Sequence, residues 1–311
     1  MSQSINIATL LALAGVISYF FLNGAAPVQQ SEFELFKQTH GLKFDSVFEN
    51  NYRESIFLAN VAKINTHNNN EFRTYDMGVN QFTHMTAEEF SETYLKTIVS
   101  KTKTIVESED IFVGDIDWTT SGAVTGVKNQ GSCGSCWAFS STGALEALSK
   151  IAYGTLQSFS EQQLVDCSGS YGNQACNGGL MDNAFKYVRD RGITTEAAYP
   201  YRGVLGTCTT NGGAFKISGY TDDAGCTNLA NALTSRPVAV AVDASNWSAY
   251  RSGVFNNCAA ALNHGVLLVG STDQYWKVKN SWASSWGEAG YIRLARGNTC
   301  GICNQPSHPN K

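Results

Sequence analysis

All nine cysteines of this 311-residue chain lie between Cys133 and Cys303. The front part must therefore fold without crosslinks, while the back part is able to carry several. An odd count leaves at least one thiol outside any intrachain bridge. Whether bridges form depends on the compartment, and the N-terminus speaks to that. "INIATLLALAGVISYFFL", residues 5–22, is followed by small residues at Gly24, Ala25 and Ala26. This is the pattern of a secretory signal peptide, read here as residues 1–26. No Lys or Arg precedes the apolar run, and its length approaches a membrane span, so a retained anchor is the alternative. Either route delivers the rest of the chain to an oxidising compartment, where disulfides persist.

With 43% hydrophobic and 15% charged residues, the composition is that of a globular chain, and a net charge of -4 gives no basic footprint for nucleic acid. Before residue 112 there are 8 Lys+Arg against 13 Asp+Glu; after it, 14 against 13. An acidic front suits a segment that detaches when its carboxylates protonate. Asn246-Trp247-Ser248 is a glycosylation sequon.

In "ENNYRESIFLANVAKINTHN", Glu49, Arg53, Phe57, Asn60, Ile64 and Asn68 are spaced 4, 4, 3, 4, 4 and share one face of an expected helix. Residues 100–109 are polar and aperiodic, as a linker would be. A helix is expected to start near Cys136 and run through "WAFSSTGALEALSKIA". Ser160 stands as an N-cap with Gln163 at the capping-box spacing, and "LMDNAFKYVRD" should end near Gly192. The texture then turns strand-like in "PVAVAVDA", "HGVLLVG", "YWKVKNSW" and "GYIRLARG". A helical part followed by a sheet part predicts two lobes, and ligands often bind at such a boundary.

"NQGSCGSCWAFS" places Cys133 and Cys136 three positions apart. A redox dithiol usually sits in a βαβ setting, and no parallel βαβ pattern precedes Cys133. Zinc needs two further ligands; Cys167 and Cys176 are available, but no His lies within 40 residues. A nucleophilic thiolate is favoured by a helix N-terminus and a nearby imidazolium, and Cys136 stands where the helix should begin. Of the five His, His40, His67 and His84 lie in the front part and His308 lies beside Pro309 near the end. His264, opening an apolar strand, is the strongest candidate for a base.

"QGSCGSCWAFS", "NHG" and "KNSW", in that order, resemble the papain family of cysteine proteases, over about residue 31 to the end. That family carries its His and Asn roughly 130 to 150 residues after the Cys; the spacing is the family's rule, and His264 and Asn280 meet it. The resemblance implies Cys136 as nucleophile, His264 as its ion-pair partner, Asn280 as the group orienting the imidazole, and Gln130 as an oxyanion donor with the Cys136 N–H. It implies that Trp282 covers the His–Asn bond. It pairs Cys133 with Cys176, Cys167 with Cys208 and Cys258 with Cys300, and leaves Cys226 and Cys303 as a fourth bridge or two buried thiols. No metal or cofactor is implied.

"QACNGGLMDNAFKY" is most similar to the cathepsin L branch. By that resemblance Gly178 and Gly179 bind an extended substrate backbone, where a side chain would block approach. Leu180, Met181, Ala241 and Leu262 fall on the lining of the main specificity pocket, which implies apolar residues two positions before the cut. Gln305 falls at that pocket's far end. The 4-4-3-4-4 face matches the family's propeptide helix in all six positions, and Gly78, Asn80 and Phe82 match a second propeptide pattern. His84 stands where the family usually has Asp, Gly126 for the usual Pro, and Ala283 for the usual Gly.

The resemblance thus implies an α+β, papain-like two-lobed fold behind a small α-helical propeptide. The inhibitory propeptide is expected over 27–111 and the peptidase over 112–311, with a helical lobe at about 116–219 and a sheet lobe at 220–311. The expected protein is a monomeric cysteine endopeptidase acting on proteins and peptides, inhibited by its own propeptide, and either secreted or lysosome-like.

Overall fold

A computed structural model describes residues 31–96, 111–210, 212–258 and 261–311. The signal segment and the linker at 100–109 lie outside the described residues. The chain divides into two compact units, Met1–Glu54 and Ser55–Lys311.

In the first unit, helix α1 (Glu32–His40) is capped by Ser31, whose hydroxyl accepts the Glu34 N–H, and it ends at Gly41 with φ 63°. Phe33 and Phe36 are its buried residues, and Phe44 stacks on Phe33. Helix α2 (Val47–Asn68) carries the whole 4-4-3-4-4 face. Glu49 and Arg53 form an i,i+4 ion pair.

In the second unit the rest of that face does specific work. Phe57 and Ile64 are the helix's buried residues. Asn60 Nδ2 donates to the carbonyls of Thr83 and Met85, and Asn68 exchanges two hydrogen bonds with the Met77 backbone. The face therefore clamps a following strand, β1 (Tyr75–Met77), and the loop that leads to helix α3 (Ala87–Tyr94). A reciprocal capping box between Thr86 and Glu89 starts α3.

Helices α4 (Cys136–Tyr153), α5 (Glu161–Cys167) and α6 (Met181–Arg191) form the helical part. Ser160 caps α5 as expected, but the box is one-sided. The Gln163 amide turns away to Tyr187, Gly192 and Thr194, tying α5 to the end of α6. Gly192, at φ 77°, terminates α6.

The strands are β2 (Ile116–Asp117), β3 (Gly219–Asp222), β4 (Val238–Val242), β5 (Tyr250–Phe255), β6 (His264–Ser271), β7 (Tyr275–Lys279), β8 (Tyr291–Ala295) and β9 (Ser307–Asn310), with α7 (Cys226–Leu233) between β3 and β4. Their order is β1-β5-β8-β7-β6-β4-β9-β3, with β2 added to β6. Every pairing is antiparallel except β5 with β8.

One expected boundary is crossed. Ile116 and Asp117, assigned to the helical lobe, pair with Ser271 and Gly270 of the sheet, and Asp117 meets Lys277. Within the expected propeptide, β1 forms the outermost strand of the sheet. Tyr75, Phe82, Phe90 and Leu95 join the buried cluster of Leu268, Trp276 and Trp286. The reason is local: a three-residue strand and an eight-residue helix bury too little apolar surface to be stable alone.

A second cluster, around Trp137, Leu145, Phe159, Leu164 and Phe185, fills the helical part and reaches Ala239 and Leu267 on the back of the sheet. Gly143 is where α4 meets the sheet: a Cβ there would stand 2.9 Å from Leu267. Four disulfides hold these layers: Cys133–Cys176, Cys167–Cys208, Cys226–Cys303 and Cys258–Cys300. The remaining pair is bridged, and Cys133 pairs with Cys176 rather than with Cys136.

Candidate active site

Cys136, the cysteine outside the four disulfides, is fully buried at the first position of α4. The strand β6 begins against it. A Cβ on Gly265 would lie 3.1 Å from the Trp137 Cα and 3.3 Å from the Cys136 carbonyl carbon, so a side chain here would push strand and helix end apart by a few tenths of an ångström. The neighbour of Gly265 is His264, which is likewise fully buried.

His264 Nε2 lies 2.8 Å from Asn280 Oδ1, and the Ser281 backbone N–H also reaches that Oδ1 at 2.8 Å. A backbone N–H only donates, so the shared atom is the amide oxygen and the imidazole must carry its proton on Nε2. Nδ1 is buried with no hydrogen-bond partner. The Trp282 ring lies 4.6 Å from the His264 ring and shields this bond from water.

Gln130 is held as tightly. Its N–H donates to Ser281 O, and its Oε1 accepts from the Ser281 hydroxyl at 2.7 Å. That leaves Nε2 as a fixed donor, bonded to Cys133 O and to Tyr94 O at 3.3 Å. The segment after α3 runs directly over this loop, for a Cβ on Gly134 would come within 2.5 Å of the Lys96 side chain.

On the substrate side, Met181, Ala241 and Leu262 share one buried apolar cluster with Trp137 and Ala138. Leu180 and Gln305 are half-buried and stand outside it. Gly178 has φ 115°. At Gly179 a Cβ would lie 2.6 Å from both Trp137 and Asn173. Glycine is required there by packing. Among the described residues no group of His, Cys, Asp and Glu side chains is placed to hold a metal ion.

The sequence reading missed a buried ionic network beneath the site. Lys128 Nζ bonds Glu146 at 2.8 Å and Glu161 at 2.6 Å, and both carboxylates are almost fully buried. Burial opposes charge on Lys128, but the two carboxylates outweigh it and hold its pKa above the ordinary lysine value. Burial pushes Glu161 up, against the pull of Lys128. Lys279, next to Asn280, is pushed down to about 8 by burial and donates to Thr125, which bonds Glu146. Glu146 and Glu161 sit at helix positions that a solvated carboxylate occupies equally well, so nothing in the sequence marked them.

The papain family cysteine protease profile matches residues 113–310, and the cathepsin propeptide inhibitor domain profile matches residues 33–90. The chain belongs to the papain family of cysteine proteases. It is 47% identical to Cathepsin L 2 of Paramecium tetraurelia over 282 residues, 88% of this chain and 90% of the relative. It is 46% identical to the Cathepsin L-like proteinase of Fasciola hepatica, covering 84% of this chain and 87% of that one. A solved structure, digestive procathepsin L 3 of the Tenebrio molitor larval midgut, superposes with a TM-score of 0.82 at 41% identity, over 91% of this chain and all of the other. The protein is a cathepsin L-like cysteine protease of the papain family, made as a precursor with its propeptide inhibitor domain in the same chain.

In this papain-family precursor the propeptide is seated by three devices. Strand β1 extends the sheet through Tyr75↔Gly253. A Cβ on Gly253 would fall 2.6 Å from both Thr74 O and the Tyr75 Cα, so glycine admits the added strand. Phe82, Phe90 and Tyr94 ring Trp282, with centroids 5.4, 5.2 and 6.3 Å away. Asn80 Nδ2 donates to Ser248 O, and Gln81 Nε2 to Trp282 O.

Proposed function

We propose that this protease is an endopeptidase in which Cys136 is the nucleophile, His264 its acid–base partner, Asn280 the orienting group and Gln130 an oxyanion donor. The observation that carries the reading is the His264–Asn280 pair, buried under Trp282 and delivered by Gly265 to the start of α4. The Cys136 thiolate adds to the substrate carbonyl carbon, and the oxyanion is met by the Gln130 amide and the Cys136 N–H. The C–N bond breaks as the imidazolium gives its proton to the departing amine, leaving a thioester. Water then attacks the thioester carbonyl while His264 takes its proton, releasing a carboxylic acid and the thiolate. The cluster of Met181, Ala241 and Leu262 supports a preference for apolar residues two positions before the cut.

In the precursor, Tyr94 O occupies the donor that the oxyanion would use, which is a direct reason for its inactivity. Acid would loosen the propeptide, and cleavage near residues 111–115 would free the enzyme in a lysosome-like or digestive setting. The test is intact mass after acid incubation of the full precursor beside a Cys136→Ala twin. Loss of about a third of the length by the parent alone supports the reading; loss by both, or an active Cys136→Ala protein, overturns it. His84→Asp should also move the pH midpoint of conversion, since His and Asp gain and lose charge in different ranges.

A further inference from the structure

Ser135 occupies the N-cap position of α4, where a serine ordinarily turns its hydroxyl onto the N–H groups of the first helical turn. Here it makes no such bond. Its Oγ lies 2.6 Å from the Tyr201 hydroxyl, which lies 2.8 Å from the Gln130 carbonyl oxygen. A carbonyl only accepts, so Tyr201 donates to Gln130 and Ser135 must donate to Tyr201. One phenol therefore ties together the two ends of the segment from Gln130 to Ser135. These are the ends from which the Gln130 amide and the Cys136 N–H are presented.

We infer that Tyr201 is a positioning residue for the oxyanion site, fixing the separation of its two donors and keeping the Ser135 hydroxyl off the helix N-terminus. The inference rests on the catalytic roles proposed above for Gln130 and Cys136. The phenol is itself immobilised. Its ring stands edge-on to Phe139 of α4 at 4.9 Å, and its backbone N–H bonds Glu196 at 2.7 Å. Burial raises its pKa above the ordinary tyrosine value, so it stays a donor at any working pH. Without the hydroxyl, the Ser135 side chain is released to cap the first-turn N–H groups, in competition with the oxyanion.

The experiment compares Tyr201→Phe, Gln130→Ala and the double variant. Each is produced as the full precursor, processed by an added protease and active-site titrated. Rates are measured on a peptide amide with an apolar residue at the second position before the cut. Inhibition is measured with a peptide aldehyde, which forms a tetrahedral adduct, and with the matching peptide alcohol, which does not.

The expected result for Tyr201→Phe is a fall in kcat of about tenfold or more with KM unchanged. Aldehyde affinity should weaken by the same factor while alcohol affinity holds. In the Gln130→Ala background the Tyr201→Phe loss should shrink. Should Tyr201→Phe not accumulate, Ser135→Ala carries the test, with a smaller loss of the same pattern. An unchanged kcat, or parallel losses in aldehyde and alcohol binding, overturns the inference when Gln130→Ala does lower kcat. If Gln130→Ala itself leaves kcat intact, the oxyanion reading falls and this inference with it.

Discussion

Phe82 meets Trp282 edge-on, with ring centroids 5.4 Å apart, and Trp282 in turn lies over His264. The inhibitor and the imidazole thus share one aromatic wall. Phe82→Ala removes a nearly buried ring from that wall. The precursor should lose about 3–5 kcal/mol of stability and convert faster at a given acid pH. The mature enzyme, once processed, should keep its kcat/KM, because the changed residue has left with the propeptide. Thermal unfolding of the precursor and conversion kinetics check this; a slowed mature enzyme would contradict it.

Asp76 gives the seam a pH response of known sign. A hydrogen bond from Arg73 holds its carboxyl below the usual range; burial works against this, and Arg251 adds to it. A depressed folded pKa gives stability that is present above the unfolded value and lost as pH falls through the folded one. Asp76→Asn should therefore raise the pH midpoint of conversion. The pair is solvent-exposed, so a shift of under about half a pH unit is expected. A lowered midpoint would contradict the assignment.

Lys128 neutralises two buried carboxylates at once. Lys128→Met should cost about 3–5 kcal/mol at neutral pH, because Glu146 and Glu161 are left uncompensated. The loss should shrink as pH falls, since Glu161, which burial already pushes up, can then take a proton. Denaturant unfolding at two pH values separates this from a simple packing defect, whose cost would not change with pH.

Ala283 sits at φ 65°, where an L side chain is strained. Ala283→Gly relieves about 1–2 kcal/mol of that strain and gives back part of it through the greater freedom of the unfolded chain. A net gain of about 0.5–1 kcal/mol is expected in unfolding measurements, with activity unchanged.

The catalytic candidates were legible because few residues could serve. The chain has one cysteine beyond the four bridges and one suitable histidine at the head of a strand. The long strands were equally legible: Val238–Val242 and His264–Ser271 are buried on both faces and read as continuous apolar runs. Strands β1, β2 and β9 were not. Each has two to four residues and is defined by its partner strand rather than by periodicity. His308 was set aside for standing beside Pro309, yet its Nδ1 pairs with Asp223 and ties β9 to the end of β3. Tyr201 had no marker either, since its partners lie 66 and 71 residues away.

The seating of β1 on β5 has a further consequence. While the propeptide is in place, β5 is an interior strand, paired on both sides with β1 and β8. Its removal converts β5 into an open rim whose backbone donors and acceptors would template any extended chain that met them. The order of events then matters for solubility. A chain that folds before it is cut completes its sheet under cover, whereas one made without the propeptide offers that rim while still folding. The precursor should therefore refold cleanly under conditions where the peptidase part alone associates.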